Sequence, residues 1–371
     1  MINVLTSLRF FAILLIYFHH LSFPGGLGPA AVTFFFVLSG FIIAYSSGDK
    51  FSNLDFIELK RFYIKRLSKV YPLHVLTFFL SLPIVYVTHF KTNLLSAFLN
   101  IFLLQSYLPV GIQVFSFNAL AWFLSDIVFF YFLTPFLLAG LHKIRVRENR
   151  IVLLALLLLV FTCEALFAHV VNSRMEPYSL GWWLFYISPW VRIFDYSAGL
   201  MAGLIFASII KDSPTTLNRI LFSFLEVMAL AAFVGAMYYS RFISNASLLM
   251  SAYYVPFSVI LVLVYSFQRG AISWLLSRTG FVYLGNLSFT FFMLHQIVIL
   301  YSAIFFMSPV LSFVPDVQHL LPQLLLLINI IFLSDITFRY FEMPIGKKIL
   351  SKFMVASKNV EASQTMPAAS T

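Results

Sequence analysis

Ten apolar runs, each about 20 residues long, constrain this chain more than any other feature. They lie at about 4–22, 29–47, 71–90, 119–141, 151–171, 190–210, 219–239, 247–266, 283–306 and 321–341. A run of that length crosses the ~30 Å hydrocarbon core of a bilayer as a helix. There, only a helix or a closed barrel satisfies every backbone polar group. Composition points the same way. The chain is 61% hydrophobic and 10% charged, against about 25% charged in soluble domains. The expected fold class is an all-α polytopic membrane protein with about ten transmembrane helices. The stretch 94–108 is apolar but short, so it is expected to be re-entrant or interfacial, since an eleventh crossing would invert everything downstream.

The net charge of +10 does not imply a nucleic-acid partner, because the cations fall in short segments between apolar runs. With the N-terminus in the cytoplasm, nineteen of the 24 Lys and Arg residues lie on inner segments. Lys91, Arg174, Arg192 and Arg241 lie outside, and Arg9 lies within a run. That bias puts both termini in the cytoplasm. The single cysteine, Cys163, sits inside an apolar run, which rules out a disulfide framework or a cysteine-based metal site. The N-terminus lacks the basic region and small-residue cleavage site of a cleavable signal. Residues 1–350 are expected to form one membrane domain, followed by a disordered cytoplasmic tail at 351–371.

Several polar islands interrupt the apolar runs. Arg9 and His20 are eleven residues apart, about three full turns, so they share one helix face roughly 16 Å apart along the axis. Ionisable groups in a membrane helix are costly and mark a functional site by default. Histidine is a general base for a hydroxyl, and arginine offers a fixed charge and a fork of donors for phosphate. The alternative is an interfacial His pair with a snorkelling Arg. In the second run, Ser39 and Gly40 also permit close helix packing. The segment 60–72 is basic and read as a loop. It carries Arg66 and Lys69, with Pro72 placed to start the next helix. Those cations suit a phosphorylated ligand or ordinary inner-face charge. Asp126, His295 and Glu342 are further candidates. The bland reading of His295 is a satisfied buried side chain, and that of Glu342 is a partner for the basic tail. Arg192 and Asp195, at i and i+3, can pair and read as structural. No multi-His cluster at metal-ligand spacing occurs, so no metal is expected.

Together these islands resemble the acyltransferase 3 superfamily of integral-membrane O-acyltransferases. The matches, in the family's order, are Arg-x10-His (Arg9, His20), the FFFVLSGF segment at 34–41, and a basic Arg-x-x-Arg stretch ending in Pro (Arg66, Lys69, Pro72). A late LGxxSFxxFxLH segment (Leu284 to His295) and Glu-x-Pro (Glu342, Pro344) complete the set. Two departures stand out. Lys69 replaces the second arginine, keeping charge but losing the planar fork. The acid after Trp122 is Asp126, in a shifted place.

The resemblance implies a stand-alone O-acetyltransferase in the bacterial cytoplasmic (inner) membrane, without an SGNH-type esterase domain. Its donor would be cytoplasmic acetyl-CoA or another acyl-CoA, and its acceptor a hydroxyl of an extracytoplasmic or lipid-linked saccharide. It assigns His20 and Arg9 to catalysis and Arg66 and Lys69 to the donor. A glycan transporter or flippase is the rival class, because buried Arg, His and Asp also suit a substrate pathway.

Overall fold

The computed structural model describes residues 2–21, 23, 26–48, 50–51, 54–109, 111–143, 149–171, 176–212, 218–306 and 320–364. Among them there is no strand. The helices are α1 Asn3–His20, α2 Leu27–Ser47, α3 Phe56–Val87, α4 Leu94–Ile101, α5 Ala121–Lys143, α6 Arg150–Val171, α7 Leu180–Trp182, α8 Pro189–Asp212, α9 Arg219–Tyr239, α10 Ala246–Met250, α11 Val255–Ser266, α12 Ala271–Leu276, α13 Thr279–Phe306, α14 Leu320–Thr337 and α15 Met343–Gln364. Eight helical segments among the described residues are long and apolar enough to cross a membrane. They correspond to eight of the ten runs. The first run forms α1, whose 18 residues include Arg9 and the terminal His pair. The 247–266 run is broken into α10, a 3-10 turn at Ala252–Tyr254 and α11.

Two tight helix pairs organise the bundle. In α2, 78% of the apolar window is buried, against 17% in α6, so α2 is central and α6 turns most of its surface to lipid. The α2–α8 pair closes on glycines, as small residues allow in membranes. A Cβ on Gly40 would lie 2.0 Å from the Tyr196 carbonyl oxygen, and one on Gly199 would lie 1.9 Å from that of Val37. The α1–α13 pair does the same at Gly285, whose Cβ would lie 2.0 Å from the Thr6 carbonyl oxygen.

Contacts along both pairs ascend together. Thr6 meets Gly285, Phe10 meets Phe291 and His20 meets His295. Val37 meets Gly199 and Phe41 meets Gly203. Each pair therefore runs parallel, a parity that a crossing at 94–108 would reverse. The eight residues of α4 extend only about 12 Å. The irregular chain after it is tied to the bundle by side chains. Asn100 Nδ2 donates to the Ser116 carbonyl at 2.8 Å, and Asn118 Nδ2 donates to that of Met293 at 3.0 Å. Irregular backbone at membrane depth is tolerated where protein satisfies it in this way.

One segment reading needs correction. The basic stretch 60–72 is helical, not a loop, and Pro72 lies inside α3 rather than at its start. Asp55 caps this 32-residue helix, accepting from the Glu58 N–H. At about 48 Å it is longer than the hydrocarbon core, so its first turns extend beyond a span. Helix α15 runs from Met343 to Gln364. Residues 365–371 lie outside the described residues.

Candidate functional site

The candidate residues gather in three places. The first is a cation cluster. Arg9 of α1 lies within charge–charge range of Arg66 of α3 and of the Tyr131 hydroxyl on α5. Lys69, one turn after Arg66, lies within range of Arg9, Arg66 and Glu342. The Arg66 guanidinium carbon sits 5.4 Å from the Phe62 ring centroid and 5.6 Å from that of Tyr131. Its Nε is buried without a hydrogen-bond partner. Arg9 and Arg66 are half-buried, and Lys69 keeps an exposed side chain.

Glu342 closes this cluster instead of turning toward the basic tail. It ends a π-turn, Phe338–Glu342, between α14 and α15. Pro344, two residues later, has no N–H to donate. Such turns insert one extra residue and re-aim side chains, often at functional sites. Glu342 is 8% exposed and accepts a hydrogen bond from the Thr290 hydroxyl of α13. Of the three cations, Lys69 lies within charge–charge range of the Glu342 carboxylate.

The second place is a histidine pair. His20, the last residue of α1, is half-buried, and its ring centroid is 5.3 Å from that of His295 on α13. His295 is fully buried. Its Nδ1 lies 2.8 Å from the Phe292 carbonyl oxygen and 3.2 Å from that of Phe291. Carbonyl oxygens only accept, so Nδ1 carries the proton and donates, which leaves a lone pair on Nε2 of the neutral ring. That Nε2 has no hydrogen-bond partner. His19 lies beside His20 at 5.6 Å between centroids, but its side chain is exposed and rests against Gly28.

The third place holds Asp126, together with residues read as structural. Arg192 and Asp195 of α8 form a fully buried pair at 2.6 Å. Arg192 also donates to the Met250 carbonyl at 2.7 Å and to the Thr33 hydroxyl of α2 at 2.8 Å. Asp126 lies within charge–charge range of Arg192 and Asp195. Glu164 of α6 lies within interaction range of Asp195 and Arg192, and neither of its carboxyl oxygens has a hydrogen-bond partner. Glu164 was not singled out in the sequence, although one acid in the 151–171 run is itself a signal.

Ser39 is half-buried one residue before the Gly40 crossing. Among the described residues it makes no hydrogen bond to another candidate.

The bundle therefore carries a cation cluster and a histidine pair that share α1 and α13. Residues 2–339 match the family model Acyl_transf_3, described as an acyltransferase domain. The chain belongs to that family and is a membrane acyltransferase, which separates it from the transporter class. One relative is acyltransferase MdmB of Streptomyces mycarofaciens, 25% identical over 285 residues, covering 74% of this chain and 69% of the relative. No solved structure matches.

Proposed function

We propose that this protein transfers an acyl group, acetyl by family resemblance, from cytoplasmic acyl-CoA to a hydroxyl of an extracytoplasmic or lipid-linked saccharide. The observation that carries this reading is the charge imbalance around Arg9. Two half-buried arginines and the exposed Lys69, against one buried carboxylate, leave an excess positive charge beside apolar surroundings, where it is costly without an anion. The phosphates of acyl-CoA supply such an anion. Arg66 and Arg9 present planar forks, and Lys69 a compact charge.

With the N-terminus inside, the cluster faces the cytoplasm, and His20 lies about 16 Å further along α1 toward the other side. The extended pantetheine arm would carry the thioester along that interval. His20 accepts the proton as the acceptor oxygen attacks the thioester carbonyl. The new C–O bond forms and the C–S bond breaks. The departing thiolate then takes the proton from His20, so the enzyme returns unchanged.

The test is transfer in proteoliposomes. Acetyl-CoA carrying a labelled acetyl group would be supplied on one face with a saccharide extract, and base-labile label in the extract would be counted. His20→Ala should lower transfer at least about 100-fold, the usual scale for a general base, in protein that unfolds at the wild-type temperature. Full transfer by this variant would remove the reading.

A further inference from the structure

We propose that His295 is the positioning residue for His20, accepting a hydrogen bond from one His20 nitrogen so that the other keeps its lone pair toward the acceptor hydroxyl. This rests on the reading of His20 as the base and assigns what orients it.

A general base held only by packing can rotate away from its target and can populate either tautomer. Enzymes fix both with a hydrogen bond to the second ring nitrogen. A carboxylate commonly does this, but none faces His20 among the described residues. Its charge–charge neighbours are His295 and His19. Of these, His19 is exposed and is turned against Gly28.

His295 has the required properties. Its Nδ1–H is committed to the Phe292 and Phe291 carbonyls of its own helix. The bond fixes the tautomer, and Nε2 is left as an acceptor only. That atom is buried and unpartnered, and a buried polar atom without a partner costs free energy unless a function uses it. A hydrogen bond of about 3 Å between two imidazoles puts their centroids about 5 Å apart. The observed 5.3 Å is compatible with that geometry after a small rotation of the His20 ring.

The arrangement is set by the backbone. Gly285 lets α13 touch α1 at Thr6, and the stacked Phe291 ring, 5.8 Å from His295, holds the imidazole in place. When His20 takes the acceptor proton, its imidazolium donates more strongly to Nε2. His295 therefore also stabilises the charge that develops, without placing a permanent anion where a hydroxyl must approach.

The experiment compares His295→Phe and His295→Gln with His20→Ala in the full-length protein. Phe keeps the ring and the stack but removes both nitrogens. Gln keeps an acceptor at the position of Nε2. His295→Phe should lower kcat at least about 10-fold with the KM for acetyl-CoA unchanged, and His295→Gln should restore part of that loss. Wild-type kcat in His295→Phe, or equal loss in both variants, would overturn the proposal while leaving His20 as the base. Full activity in His20→Ala would instead remove the functional reading itself. Because either His295 variant can fail to fold, ¹⁵N-histidine NMR of the unmodified protein gives an independent result. His295 should report a protonated Nδ1 and a bare Nε2, and a protonated Nε2 would overturn the proposal.

Discussion

Two arginines, buried to different degrees, sit in very different company. Arg192 is fully buried and meets Asp195, the Thr33 hydroxyl and the Met250 carbonyl, with Glu164 and Asp126 behind them. Its charge is answered by protein, and the contacts join α2, α6, α8 and α10. Arg9 lies among Arg66, Lys69 and the Tyr131 hydroxyl, with Glu342 as the carboxylate. In the proposed reading, that charge is met by the phosphates of the acyl donor. The Arg192–Asp195 pair joins helices even though Arg192 Nε has no hydrogen-bond partner, whereas a surplus of one sign in an apolar bundle is a candidate binding feature.

The largest effect expected from this contrast is on stability. Arg192→Met leaves carboxyls buried without their cation, and should lower unfolding stability by about 3–5 kcal/mol. A wild-type unfolding temperature for that variant would break the comparison. Next comes Arg66→Ala. It should raise the KM for acyl-CoA about tenfold or more, the scale of one charged hydrogen bond, while the unfolding temperature without ligand stays near wild type. If stability falls as far as in Arg192→Met, the cation cluster is structural after all. The smallest effect belongs to Glu164→Gln. The amide keeps the carboxyl's shape and can donate to Asp195, which lies within interaction range, so stability should change by no more than about 1 kcal/mol. A loss on the scale of Arg192→Met would show that Glu164 acts as a charge rather than as a donor.

Much of the fold is legible in the sequence because apolar run length reports directly on the bilayer. The two runs that differ, 4–22 and 247–266, do so for local reasons. Arg9 and the His pair interrupt the first, and the 3-10 turn at Ala252–Tyr254 breaks the second. The basic stretch 60–72 reads as a loop because charge suggests solvent. In the structure α3 continues through it, and its cations stand on a helix that outruns the membrane core. Arg9 and His20 are readable as one face from their spacing alone. Their partners are not. His295 is 275 residues from His20, and Glu342 meets Lys69 and Thr290 only through the packing of α13 and the π-turn. No periodicity encodes those meetings, although the family resemblance orders the same residues. Asp126 shows the opposite case. It reads as a site candidate, and the structure groups it with the Arg192 network.

In the proposed mechanism the cation cluster holds the acyl donor while the histidine pair does the chemistry. Thermal unfolding of the detergent-purified protein with and without acetyl-CoA tests it most directly, run beside Arg66→Ala and His20→Ala. A ligand that binds only the folded state raises apparent stability by mass action. Acetyl-CoA should stabilise wild type and His20→Ala, and that stabilisation should be lost in Arg66→Ala. Equal stabilisation in all three proteins, or none in folded wild type at millimolar acetyl-CoA, would contradict the mechanism.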